Sequence, residues 1–102
     1  MRFFLKISIP VEAGNAAARM DRFKSIQLIL EEHKPEAAYF LQDGGQRTAI
    51  LIVKMEDASQ LAEFVEPWFL ALNASVECKP VMVPGDLQQA FPALERAVKT
   101  FS

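Results

Sequence analysis

Hydrophobic and polar residues alternate with period two over residues 3–9. Phe3, Leu5, Ile7 and Ile9 fall on one side, and Arg2, Phe4, Lys6 and Ser8 on the other. A strand sends successive side chains to opposite faces of its sheet, so this segment predicts a first strand, ended by Pro10. Over residues 15–33 the apolar spacing lengthens to three and four. Ala16, Met20, Phe23, Ile26 and Leu30 come into phase and predict one helix, stopped before Pro35. Residues 37–42 read as a short second strand. Asp43-Gly44-Gly45-Gln46 then makes a tight hairpin turn into a third strand over residues 47–55. Asp57 reads as a helix cap with Gln60 as its capping-box partner, ahead of a stripe of Leu61, Phe64, Val65, Trp68 and Leu72. Pro67 removes a backbone donor within that helix. Residues 75–83 read as a fourth strand containing Pro80. After Gly85, Asp86 and Gln89 cap a short helical turn, and Pro92 opens a final helix with Leu94, Val98 and Phe101 as its stripe.

The order is β-α-β-β-α-β plus a C-terminal helix: an α+β chain of the ferredoxin-like kind, one domain over residues 1–102. Right-handed crossovers place the third strand beside the first two and give an antiparallel sheet in the order 4-1-3-2. The short second strand and the proline-containing fourth strand both suit edges.

The third strand changes the picture, because Ala49-Ile50-Leu51-Ile52-Val53 is apolar on both faces. Both long helices must cover the same side of the sheet, which leaves the other side bare. An apolar sheet face in water is an adhesive patch, and two sheets packed face to face across a two-fold axis bury it. The expected assembly is a homodimer that closes a dimeric α+β barrel. Phe4, Lys6, Leu51, Val53 and Glu77 are the interface candidates, with Lys6 and Glu77 facing each other across neighbouring strands. The alternative is that the C-terminal helix folds over the open face.

Composition narrows the function classes. Of the 102 residues, 51% are hydrophobic and 24% charged, as in a globular chain, and the net charge of −2 provides no general field for nucleic-acid phosphates. The longest apolar region, residues 64–72, contains Glu66 and Pro67 and falls far short of the ~20 residues of a membrane span. Neither nucleic acid nor membrane is therefore an expected partner. One cysteine (Cys78) and one histidine (His33) make neither a disulfide nor a zinc cluster, so the expectation is a cytoplasmic protein with no metal and no cofactor.

Glu66-Pro67-Trp68-Phe69-Leu70-Ala71-Leu72-Asn73, continued by Val76-Glu77-Cys78-Lys79-Pro80-Val81-Met82, resembles a family of small bacterial proteins of unknown function within the dimeric α+β barrel superfamily. In that family a Pro-Trp ends the second helix and the last strand closes on Pro-Val. The resemblance covers the C-terminal half best. It implies a dimer and leaves open a wide range of roles: cofactor-independent monooxygenases, haem-degrading enzymes, isomerases, stress-responsive proteins and ligand-binding regulatory domains.

No catalytic motif stands out. The serines lie outside any Gly-x-Ser-x-Gly elbow, and no carboxylates are spaced as an acid–base pair. Tyr39, Trp68, His33 and Asn73 are the ligand-binding candidates, bringing a phenol, an indole, an imidazole and an amide. Three of them also have an ordinary structural role. Trp68 lies in the apolar stripe of its helix, His33 near a helix C-terminus where positive charge is favoured, and Asn73 at a left-handed cap. Two functions follow. One is a homodimeric protein that binds a small apolar molecule, of the regulatory or stress-responsive kind. The other is a small cofactor-independent enzyme, monooxygenase- or isomerase-like, acting on a hydrophobic aromatic substrate.

Overall fold

The sheet is built around β1 (Arg2–Ile9), whose strict alternation lets it present an apolar row to a core while pairing on both edges. The computed structural model describes residues 1–20 and 23–102. β1 pairs antiparallel with β3 (Gln46–Lys54) on one side and with β4 (Ser75–Val81) on the other. β2 (Ala37–Asp43) pairs antiparallel with β3, so the order is β2-β3-β1-β4, as the crossover argument requires. The β2–β3 turn holds Gly44 at φ 60° and Gly45 at φ 76°. Two consecutive positive φ values are what a two-residue hairpin turn needs, and glycine adopts them without strain.

Helices α1 (Val11–Arg19), α2 (Lys24–His33) and α3 (Gln60–Leu72) share one sheet face. Leu5, Ile7, Ala49 and Leu51 from the sheet and Trp68 from α3 are fully buried there, joined by Val53, Leu72, Ala17 and Ile29. The single long helix expected over residues 15–33 is two shorter ones. α1 starts four residues early, directly after Pro10, and buries Gly14 and Ala17, while the expected stripe members Ala16 and Met20 face solvent. α2 buries Ile29 and half-buries Ile26 and Leu30. Asp21 and Arg22, which the periodicity placed inside one helix, lie outside the described residues. The start of α3 also moves. Ser59 is the capping position, the Asp57 carboxylate accepts from the Ser59 N–H at 2.8 Å, and Gln60 Oε1 accepts from the N–H groups of Glu56 and Asp57.

The C-terminal helix departs furthest from expectation. α4 (Pro84–Phe101) is continuous over 18 residues, with Pro92 inside it rather than at its start. Pro84 occupies the first turn, where its missing N–H is no loss, and Asp86 accepts from the Val83 N–H at 3.1 Å. None of its residues is buried. The chain is accordingly long, 59 × 27 × 20 Å, with a radius of gyration of 17.2 Å against about 13 Å for a compact domain of this length. The helix does not roof the open sheet face.

One end of that open face is held by charge. Arg2 Nε donates to both Glu36 oxygens, at 3.0 and 2.8 Å, and Lys54 Nζ stands 3.7 Å from the same carboxylate. The hydrogen bond from Arg2 holds the Glu36 carboxyl below its ordinary 4.5. A depressed carboxyl stabilises the fold above its unfolded value and loses that contribution as pH falls through the folded one. Glu36→Gln should therefore lower the urea midpoint at pH 7, and variant and parent should converge as the pH drops below 4.5. Parallel curves at all pH values would show that the pair contributes nothing.

Candidate functional site

The four ligand-binding candidates named from the sequence do not meet. Tyr39 pairs with Ile50 on the open sheet face and is 65% exposed. Trp68 is fully enclosed in the core on the other face, and its Nε1 has no hydrogen-bond partner. Asn73 caps α3 in the left-handed conformation, φ 53°, with its N–H donating to Phe69 O. His33 closes α2 with its ring centroid 4.8 Å from that of Phe64, and borders a shallow cleft with Lys34, Glu36 and Lys54. A shared pocket from these residues would need one layer and one end of the sheet. They occupy two faces and several element ends.

The interface candidates need a correction as well. Phe4 pairs with Ile52 and Lys6 with Ile50, so the open face carries Phe4, Lys6, Ile50 and Ile52, with Glu77 and Lys79 alongside on β4. Leu51 pairs with Leu5 and Val53 with Phe3, which puts both on the opposite row, buried under the helices. A one-residue offset moves a strand residue to the other side of the sheet, and β3 is apolar on both sides. Lys6 sits opposite Glu77 in register but directs its ammonium to Asp43, whose hydrogen bond raises the Lys6 pKa.

The polar chemistry gathers instead around Arg47, at the other end of β3 from Lys54 and about 23 Å along the strand by its rise per residue. Arg47 is in phase with the buried row Ala49, Leu51 and Val53, so it enters the space between sheet and helices. Its guanidinium rests on the backbone of Gly14 in α1: a Cβ there would lie 2.5 Å from Nη1. Nη2 donates to Asn15 Oδ1 at 3.1 Å, and the guanidinium carbon stands 5.9 Å from the centre of the Phe23 ring. No carboxylate among the described residues pairs with it. Arg47 borders a cleft of about 410 Å³ walled by Ile9, Phe23, Ile26 and Phe40, with Gln42 and Thr48 also in its lining. It also borders a smaller recess of about 220 Å³ with Asn15, Gln42 and Gln46.

None of these residues emerged from the sequence as a site. The available signal was a cation on the inward phase of an otherwise apolar strand. Its support, Gly14 and Asn15, lies more than thirty residues away, where only the fold connects them. A further apolar cleft, about 340 Å³, is lined by Met1, Phe3, Met55, Leu61 and Cys78, whose thiol pKa is raised by burial. The lining also includes Glu56 and Asp57, the Asp57 carboxylate being engaged with the Ser59 N–H. Among the described residues, no three His, Cys, Asp or Glu side chains gather to hold a metal ion, and no helix is long and apolar enough to cross a membrane.

The fold is similar to that of 5-chloro-2-hydroxyhydroquinone dehydrochlorinase (TftG) from Burkholderia phenoliruptrix, whose structure is a complex with 2,5-dihydroxybenzoquinone. The TM-score is 0.65 at 20% identity, covering 83% of this chain and 97% of that one. A formyltetrahydrofolate deformylase from Pseudomonas putida matches with a TM-score of 0.50 at 11% identity, over 79% of this chain and 29% of that one. Identities this low establish a shared fold and nothing more. No protein with a curated description matches the sequence. Residues 1–95 match the family described as "Domain of unknown function (DUF3303)", and a match over nearly the whole chain makes this protein a member of the DUF3303 family.

Proposed function

We propose that the protein is a homodimeric small-molecule-binding protein of the cytoplasm, with its ligand site in the cleft bordered by Arg47. The observation that carries this is a half-buried arginine, Arg47, in the wall of a largely apolar cleft of about 410 Å³, a size suited to a small organic ligand. Binding is preferred to catalysis because the described lining offers Arg47, Gln42 and Thr48 but no carboxylate or imidazole to move a proton. TftG holds a small oxygenated ring, which supports a ligand of similar size here. Its dehydrochlorinase activity keeps the enzyme reading in view: a cofactor-independent enzyme acting on a hydrophobic aromatic substrate.

Dimerisation is supported by two apolar surfaces that the chain leaves uncovered. One is the sheet row of Phe4, Ile50 and Ile52 with Tyr39 beside it. The other is the α4 stripe of Leu87, Phe91, Leu94, Val98 and Phe101, all exposed. Their intervals of four and three are those of a coiled-coil seam, which a second copy of the same helix can match. Five such side chains present on the order of 500 Å². With the sheet row this approaches the ~800 Å² per partner of a standard interface. Sedimentation velocity over a range of concentrations should show a dimer. Titration with 2,5-dihydroxybenzoquinone should perturb the backbone amides of Ile9, Phe40, Gln42 and Arg47. A monomer at all concentrations removes the dimer, and unmoved amides at those four residues remove the ligand site.

A further inference from the structure

We infer that the Arg47 cleft is built for an aromatic carboxylate, whose carboxyl oxygens take the free side of the guanidinium while its ring lies along Phe23, Ile26 and Phe40. This rests on the binding reading above and names the ligand class of that same site.

A guanidinium carries five N–H groups in a rigid planar fork, and the described structure uses one of them, on Asn15 Oδ1. Arg47 is only partly exposed, and no described carboxylate pairs with it. The group is nevertheless held in place from three sides. Gly14 supplies a backbone seat with no side chain in the way, Asn15 fixes one nitrogen, and Phe23 lies within cation–π range of the guanidinium. A fork that is positioned but mostly unused matches the two parallel acceptors of a carboxylate, whereas the point charge of a lysine would not.

The rest of the ligand follows from the walls. Ile9, Phe23, Ile26 and Phe40 offer apolar and aromatic surface, and the volume accepts one or two fused rings. Gln42 borders both the cleft and the smaller recess, so its amide is placed to donate to the outer carboxylate oxygen. The protein is acidic overall, with a net charge of −2. Attraction of an anion is therefore local to Arg47 and owes nothing to the field of the whole molecule.

The test compares 1-naphthoate with 1-naphthalenemethanol, which keeps the rings and replaces the charge. Isothermal titration calorimetry gives the affinities, and amide shifts at Gln42 and Arg47 report the place. The parent should bind the carboxylate at least tenfold more tightly than the alcohol. Arg47→Gln should erase that preference, and Arg47→Lys should recover only part of it, because a lysine cannot chelate both oxygens. Gly14→Ala should weaken naphthoate binding by pushing the guanidinium off its seat, with thermal unfolding reporting that the fold is kept. Equal binding of both compounds at the cleft, insensitive to Arg47, overturns the carboxylate and leaves the cleft as a neutral site. Absence of shifts at the cleft with either compound overturns both readings together.

Discussion

Leu51→Glu is expected not to fold, whereas its neighbour Ile52→Glu folds and remains a monomer. The two positions differ by one residue and by the whole thickness of the sheet. Leu51 is fully enclosed opposite Leu5, under α3 and the other helices, and a carboxylate there has neither water nor a cation. The penalty of several kcal/mol for an unpaired buried charge is comparable with the ~5–15 kcal/mol total stability of a small domain. Ile52 is half-exposed on the open face beside Phe4 and Ala37, so a glutamate there reaches solvent in a single protomer. It is buried only when a second sheet packs over it. Circular dichroism separates folded from unfolded protein, and sedimentation velocity separates dimer from monomer. A folded, dimeric Ile52→Glu would mean that the two sheets do not meet.

The second large effect is expected at Trp68. Its side chain is the largest that is fully buried, and truncation to alanine should cost about 3–5 kcal/mol through lost burial and the cavity left behind. Trp68→Phe should cost much less. It removes a smaller volume and also removes an indole N–H that the core leaves without an acceptor, a group that costs about 1–3 kcal/mol when unsatisfied. Urea unfolding at one fixed protein concentration measures both, and equal losses for the two variants would show that Nε1 has an acceptor after all.

The sheet was legible in the sequence because its determinants are local. Period-two alternation gives β1, Asp43-Gly44-Gly45 gives the hairpin, and the crossover rule orders the strands. What failed to read out depends on register or on distance. β3 is apolar on both faces, so nothing within it says that Leu51 and Val53, rather than Ile50 and Ile52, lie under the helices. That choice is made by pairing with β1. Pro92 reads as a helix start, yet Pro84 and Asp86 already supply one eight residues earlier, and the helix continues through the second proline. His33, Tyr39, Trp68 and Asn73 attracted notice as rare or chemically rich residues, and the fold disperses them. Arg47 stands at the start of a strand, with nothing local to mark it. It acquires chemical meaning only once α1 brings Gly14 and Asn15 against it.

α4 stands apart from the core, and that bears on its order. A helix with no buried residue has little beyond its own backbone bonds and the Asp86 cap to hold it, and Pro92 in its interior removes one of those bonds. If a twin stripe is what steadies it, amide protection over residues 84–101 rises as the protein is concentrated, while protection in β1 and β3 does not. In the dimer proposed above, α4 would serve as a built-in gauge of self-encounter, firm in company and frayed alone.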